Sequence, residues 1–383
     1  MPGWLPVLRS GPRARAGRGP GRGGGRVRIA LVHGFHGPGG PGGENAAVLD
    51  QAAALVRAGH DVHLVVTAAG GPLHAAPRRR APCPVTVVTG QGRGPLSALR
   101  ALAPDVTHIH HAPPGAGRAW AADWTGPLVA TLRDTRPQGG AGGVLHRLAA
   151  LPQARAARAD RDPLLRRADR LVVRSEPARD QYLRAGVPLR RLALIPDFAP
   201  AVPTVPDAPE GPWTYVGRLA PETGILDLLR RWPEGRRLDV LGAGPLEGAC
   251  RAAAPASVRF SGPVGRGGLR AGLVGRRGLV VPGRGAQDLP VCYAEALAAG
   301  VPVLAVGGAA VPRAVRAEGT GTVASWAAPL GSALDVAERL FPGLSAHCRA
   351  VHSESYAPEP WIDRVAHVYA AAVQHGPSGL VRG

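Results

Sequence analysis

The chain has 383 residues, 45% of them apolar, and a formal net charge of +19 at pH 7. That length exceeds one ordinary core, so two domains of roughly 170 residues each are expected. The four cysteines Cys83, Cys250, Cys292 and Cys348 lie far apart with no paired spacing, which argues against a zinc site and a disulfide framework. No apolar run reaches the ~18 residues that a membrane-spanning helix needs.

Arginine supplies all of the chain's 46 basic side chains. Six of them, Arg9, Arg13, Arg15, Arg18, Arg22 and Arg26, fall within residues 1–26 beside no acid. A Gly/Pro/Arg-rich arm of this kind buries too little apolar surface to fold, so residues 1–26 read as a disordered basic arm. The remaining excess is spread along the chain without the aromatic interleaving of a single-strand binding face, so no nucleic-acid partner is expected. A soluble cytoplasmic protein follows as the expectation, with peripheral membrane contact as its open extension.

In chain order, Val27–His33 is a buried-strand run, a glycine-rich loop fills residues 34–43, and a helical pattern covers Glu44–Ala58. Gly59 ends that helix and Val62–Val66 is the next strand, which completes a βαβ unit. Further alternation follows with a helix near Leu96–Leu102, strands Val106–His110 and Leu128–Leu132, and a helix ending near Arg167. Strand Arg170–Val173, helix Ala178–Ala185 and strand Leu192–Ile195 complete this half. Prolines 200, 203, 206, 209 and 212 interrupt the pattern, so a linker is placed at residues 199–212.

The alternation then restarts with strand Trp213–Val216, helix Ile225–Trp232, strand Arg237–Leu241 and a helix after Pro245. Strands Val258–Phe260 and Leu279–Val281, helix Val291–Ala299, strand Val301–Ala305 and a last helix over Trp361–Val373 follow. The expected fold class is α/β, with two doubly wound Rossmann-like domains at residues 27–198 and 213–360. Residues 361–383 are expected to pack back on the first domain. Such sheets bind ligands at the C-terminal ends of their strands, which here face a central cleft.

The segment Gln287 to Leu304 runs as polar loop, helix and strand in direct succession, and a helix N-terminus at such a junction suits phosphate and ribose. It resembles the donor-binding signature of family 4 glycosyltransferases, in which two glutamates eight positions apart bracket the sugar nucleotide and the helix ends in Ala-Gly-x-Pro-Val. Glu295 holds the second position, and Gln287 stands where the family has the first glutamate. Other stretches carry the same likeness in order. Gly39 to Asn45, with Gly42, Gly43 and Glu44, resembles the family's glycine-rich first loop, and a merely flexible βα loop is the alternative reading. Pro104 to His111 resembles the strand leading to the acceptor side, with His110 or His111 at its tip; a structural histidine is the other reading. Gly126 to Asp134 resembles the next strand, with Arg133 where the family has histidine and Asp134 after it. Arginine is no proton acceptor, but it can bind an anion.

Tyr215 to Gly224 resembles the family's Gly-Arg-Leu-x-x-Glu-Lys-Gly turn, with Arg218 kept and Thr223 replacing the lysine; an interdomain salt bridge is the alternative for Arg218. Leu238 to Leu246 resembles the family's Gly-x-Gly-Pro-Leu turn, read as permitting close approach to a nucleotide.

The resemblance implies a GT-B fold and a retaining glycosyltransferase that moves a sugar, hexosyl in type, from a nucleotide-diphosphate sugar to an acceptor hydroxyl without a metal or other cofactor. It assigns Arg218 and Gln287 to charge stabilisation and sugar contact at the reacting centre. Ribose recognition falls to Glu295, and diphosphate contact to the main-chain N–H groups of Leu289 and Val291. A degenerate relative that binds nucleotide or a partner without turnover is the alternative, favoured by Arg133, Thr223 and Gln287. The acceptor, whether glycan, lipid-linked or small molecule, is not specified. The basic stretch Arg147, Arg155, Arg158, Arg161, Arg166 and Arg167 reads as a solvated helix face or as a surface for anionic lipid or glycan.

Overall fold

A computed structural model of the chain describes residues 25–34, 42–68, 81–89, 94–111, 119–132, 162–203, 211–284 and 288–375. The expected basic arm lies almost wholly outside the described residues, as do Arg133, Asp134, Gln287, Arg147, Arg155, Arg158 and Arg161.

The first sheet has seven strands, β1 Arg28–His33, β2 Asp61–Ala68, β3 Val85–Thr89, β4 Val106–His111, β5 Leu128–Thr131, β6 Arg170–Val173 and β7 Leu192–Leu194. Their order is β3-β2-β1-β4-β5-β6-β7, and all pair in parallel. The second sheet has six, β8 Trp213–Val216, β9 Leu238–Leu241, β10 Val258–Gly262, β11 Gly278–Gly283, β12 Val303–Gly307 and β13 Gly321–Ala324. Its order is β10-β9-β8-β11-β12-β13, again all parallel. Both are doubly wound, and each reverses direction between its first and fourth strands, the place where such sheets bind ligands.

The strands read as near-continuous apolar runs because helices cover both faces. Ile29, Ala30, Leu31 and Val32 of β1 are all 0% exposed. The helix Gly42–Arg57 packs Val48, Ala52 and Leu55 against one face of the first sheet, at the spacing of a helical stripe. The helix Pro358–His375 shares that core through Trp361, Val365, Val368, Tyr369 and Ala372, so the chain's last described helix covers the first sheet. The crossing between the halves is sharp. Phe198 packs on Trp361 in the first core, and its neighbour Ala199 lies in the second, tied by its N–H to Tyr356 O at 3.0 Å. Residues 204–210 of the expected linker lie outside the described residues.

Several elements depart from the sequence expectations. Strand β3 was not anticipated, nor were the helices Arg266–Leu273, Ala310–Glu318, Leu330–Leu340 and Leu344–Val351 or strand β13. The last strand expected at Val301–Ala305 begins two residues later, at Val303, because Gly300 and Val301 close the preceding helix. Their N–H groups bond Leu297 O at 3.0 Å and Ala296 O at 2.8 Å around a left-handed Gly300 (φ +70°), the pairing that ends a helix. The last helix starts at Pro358 rather than Trp361, with proline in the first turn, where its missing N–H costs nothing. Among the described residues, no helix is long and apolar enough to cross a membrane. Arg167, expected on a solvated or anion-facing surface, instead turns inward and donates to Trp124 O and Gly126 O, each at 2.7 Å.

Candidate functional site

The direction reversal of the second sheet brings together the turn after β8 and the segment after β11. In the turn, Gly217 N–H bonds Leu241 O at 3.1 Å and Leu219 N–H bonds Ala243 O at 3.0 Å, so the loops after β8 and β9 lie backbone against backbone. A Cβ on Gly242 would fall 1.8 Å from Gly217 O, and one on Gly244 would fall 2.3 Å from Leu219 O. These glycines are therefore required by the chain's own neighbouring loop, where the sequence reading had assigned the close approach to a nucleotide.

Tyr215, 3% exposed, donates its hydroxyl to Arg218 O at 2.8 Å; burial pushes its pKa well above that of an ordinary phenol, so it stays a donor. That bond fixes the turn and leaves the Arg218 side chain half exposed, 3.6 Å from Glu222. Thr223 faces inward. Its hydroxyl donates to Ala220 O at 2.8 Å and lies 3.4 Å from Ile225 N, capping the turn. The next residue, Gly224, is left-handed (φ +77°) and lies against Trp326, whose indole N–H donates to Gly283 O at 2.9 Å. Trp326 thus joins the turn to the end of β11, where Arg284 pairs with Asp227.

After β11, the helix Val291–Ala298 starts behind Pro290 with no side-chain cap on its first turn. Leu289 is buried in the second core at 6% exposure, whereas Val291 is half-buried at the helix start. Glu295 is the helix's one charged residue and is 2% exposed. A carboxylate this deep needs a nearby cation. Arg270, from the helix Arg266–Leu273, stands with Nε 3.7 Å from Glu295 Oε1 and donates from Nη2 to Asp50 of the first half at 2.8 Å.

A second arginine bridges the halves close by. Arg174, at the tip of β6, donates to Asp197 at 2.8 Å and also pairs with Asp288 of the segment after β11. Asp197 accepts a further hydrogen bond from Gln51 at 2.9 Å. Sequence reasoning missed Arg174, Asp197, Arg270 and Trp326. Arg174 and Asp197 carried a usable signal, because each is a charged residue just past a parallel strand's C-terminal end.

On the first sheet, the helix Gly42–Arg57 begins at Gly42 and so contains Gly43 and Glu44. Asn45 in its first turns lies with Oδ1 3.1 Å from His33 Nε2 at the tip of β1. His110 is 1% exposed, its ring centroid 4.1 Å from that of His108. His108 lies between Tyr369 Oη and Thr131 Oγ1, each at 2.8 Å, and complete burial pushes its pKa down to about 3. The structure therefore places His110 inside a packed wall. Among the described residues, no cluster of His, Cys, Asp or Glu is placed to hold a metal ion.

Comparison with known proteins fits this geometry. Residues 41–199 match the family model described as Glycosyltransferase Family 4, and residues 213–340 match the one described as Glycosyl transferases group 1. No curated protein matches the sequence. Among solved structures, Anabaena Alr3699/HepE in complex with UDP and glucose is 15% identical with a TM-score of 0.65, the match covering 90% of this chain and 100% of that one. Sucrose-phosphate synthase (tll1590) from Thermosynechococcus elongatus is 20% identical with a TM-score of 0.66, covering 90% and 98%. A glycosyltransferase from Rickettsia africae is 11% identical with a TM-score of 0.65, covering 91% and 100%. Likeness at such identities establishes the fold: two Rossmann-like domains in the GT-B arrangement.

Proposed function

We propose that this GT-B chain, with glycosyltransferase domains in both halves, transfers a sugar from a nucleotide-diphosphate donor to an acceptor hydroxyl with retention of configuration. The observation that carries the reading is the meeting of the Arg218 turn and the Glu295 helix at the reversal point of the second sheet. Glu295 is suited to accept hydrogen bonds from the ribose hydroxyls, which a carboxylate with several lone pairs does well. The half-exposed guanidinium of Arg218 neutralises the diphosphate as it leaves. The main-chain N–H groups at Leu289 and Val291, at the start of a helix, point donor density at the phosphates. Gln287 supplies a hydrogen bond to the transferred sugar, and the helix start at Gly42, Gly43 and Glu44 completes the donor site from the first half.

The departing phosphate assists deprotonation of the acceptor on the face it leaves, so the protein's part is orientation and charge stabilisation. No metal is required in this scheme. HepE holds UDP with glucose, which favours a UDP-sugar as the first donor to try. The acceptor side falls to the first half, near His110, Arg133 and Asp134. One observation favours binding without turnover: the Thr223 hydroxyl is engaged within its own turn, so that position contributes no cation.

The test is release of UDP or GDP from a panel of sugar nucleotides, with the anomeric configuration of any product read by NMR. Arg218→Ala is expected to weaken nucleotide-diphosphate binding by about 2–4 kcal/mol. Unchanged affinity in that variant sinks the site assignment, and an inverted product sinks the stereochemistry. A chain that binds nucleotide yet releases none from any donor, even with Thr223→Lys and Gln287→Glu combined, is the non-catalytic relative.

A further inference from the structure

Two consecutive side chains of the helix Gly42–Arg57 reach across to the segment 288–295 of the other half, each through an arginine. Asp50 accepts from Arg270 Nη2 at 2.8 Å, and the same guanidinium stands 3.7 Å from Glu295 Oε1. Gln51 donates to Asp197 at 2.9 Å, and Asp197 holds Arg174, which pairs with Asp288. The helix thus engages both ends of that segment.

The two distances at Arg270 differ in kind. The contact with Asp50 is a hydrogen bond; the one with Glu295 is a charge contact beyond hydrogen-bond length. A guanidinium closed fully onto Glu295 would take up, in a bidentate pair, the lone pairs that a ribose diol needs. With no cation nearby, a carboxylate 2% exposed is costly to bury. Arg270 supplies such a cation and stands off Glu295 rather than closing on it.

Building on the reading of Glu295 as the ribose acceptor, we propose that Arg270 and Asp50 are positioning residues for the donor. Asp50 anchors the guanidinium from the opposite half, so that Glu295 keeps its counter-charge without being chelated by it. Because Asp50 belongs to the first half and Glu295 to the second, nucleotide affinity senses the approach of the two halves.

Calorimetric titration of the full chain with UDP and with GDP tests this, with melting temperature as the control for folding. Asp50→Asn is expected to weaken binding about tenfold, because the released guanidinium closes on Glu295. Asp50→Glu is expected to recover most of the loss. In an Arg270→Gln background, Asp50→Asn is expected to cost nothing further in affinity, because Asp50 acts only through that guanidinium; a merely structural Asp50 instead lowers the melting temperature together with the affinity. If Asp50→Asn fails to fold, Arg270→Lys asks the same question; it keeps the charge but loses the fork that spans both carboxylates, and an affinity loss of about fivefold is expected. A wild type that binds nucleotide while folded Asp50→Asn binds equally well, or losses that multiply in the double variant, overturn the inference alone. A wild type that binds neither nucleotide overturns the donor-site reading and this inference with it.

Discussion

The tip of β1 in the first sheet carries His33, fully buried and bonded to Asn45, whereas the equivalent strand of the second sheet, β8, runs out into Gly217. The fourth strands differ likewise: β4 ends among His108 and His110, stacked on each other, and β11 ends at Gly283. The topology is the same, yet one reversal point is filled with side chains that bond to one another and to the last helix, while the strands of the other run out into glycines packed against neighbouring backbone and Trp326. Glycine at a strand tip lets two backbones approach closely, as Gly217 N–H does to Leu241 O at 3.1 Å. Filled tips make a rigid wall. That difference supports the proposed placing of the donor on the second sheet.

The comparison breaks most directly at the glycines. Gly242→Ala forces a Cβ into Gly217 O at 1.8 Å, a backbone clash that no rotamer change relieves, and is expected to cost about 4 kcal/mol in urea unfolding. Gly59→Ala is the control, left-handed at φ +89° with nothing within 4 Å of its Cβ, and is expected to cost about 1 kcal/mol. Equal losses at the two positions remove the argument from close approach.

Next in size is the bridge between the halves. Arg174→Ala leaves the buried Asp197 and the half-buried Asp288 without this cation and is expected to cost about 3 kcal/mol. Thermal unfolding that stays unchanged in the variant shows that Arg174 is replaceable by solvent.

The histidine wall predicts a pH effect. Burial holds His108 at about 3, below the value of about 6.5 for a histidine in the unfolded chain. The unfolded state therefore binds the proton first, and stability falls as pH drops from 6.5 toward 3. The contribution is up to about 1.4 kcal/mol per pH unit, or about 2 kcal/mol at pH 5. Burial also lowers the pKa of His60, His63 and His352, so His108→Gln is expected to flatten the slope over that window rather than abolish it. An unaltered slope in His108→Gln removes this histidine from the acid response.

These expectations differ in how far the sequence already carried them. The alternation of apolar runs with helical stretches placed most strands to within two residues, because parallel strands buried on both faces need Val/Ile/Leu-rich runs that stand out against a Gly/Pro-rich background. The helices Arg266–Leu273 and Ala310–Glu318 were hidden because Gly267, Gly268, Gly272 and Pro312 lower their intrinsic propensity, and tertiary packing overrides it. Arg218 and Glu295 stand out in the sequence through their motifs, and the proposed function rests on them. Arg270 was not: its partner Asp50 lies 220 residues away, and nothing in local spacing reports an ion pair between two domains. The same holds for Trp326, whose role depends on Gly224 and Gly283 meeting in space.

The smallest expected effect sharpens the comparison at the donor turn itself. Glu222 sits four residues after Arg218, and the two side chains are 47% and 50% exposed at 3.6 Å. A pair so open to solvent contributes little to folding, so Glu222→Gln is expected to shift stability by less than about 0.5 kcal/mol. In the proposed donor site, a diphosphate arriving at Arg218 makes Glu222 yield its share of the guanidinium. Removing that carboxylate also removes a negative charge from the neighbourhood of an anionic ligand, and both changes act in the same direction. UDP affinity is expected to rise about threefold in Glu222→Gln, with a weaker salt dependence than Arg218→Ala shows. If Glu222→Gln binds UDP more weakly than the wild type, Glu222 is orienting Arg218 toward the phosphates rather than competing with them, and the donor turn is preorganised by its own ion pair.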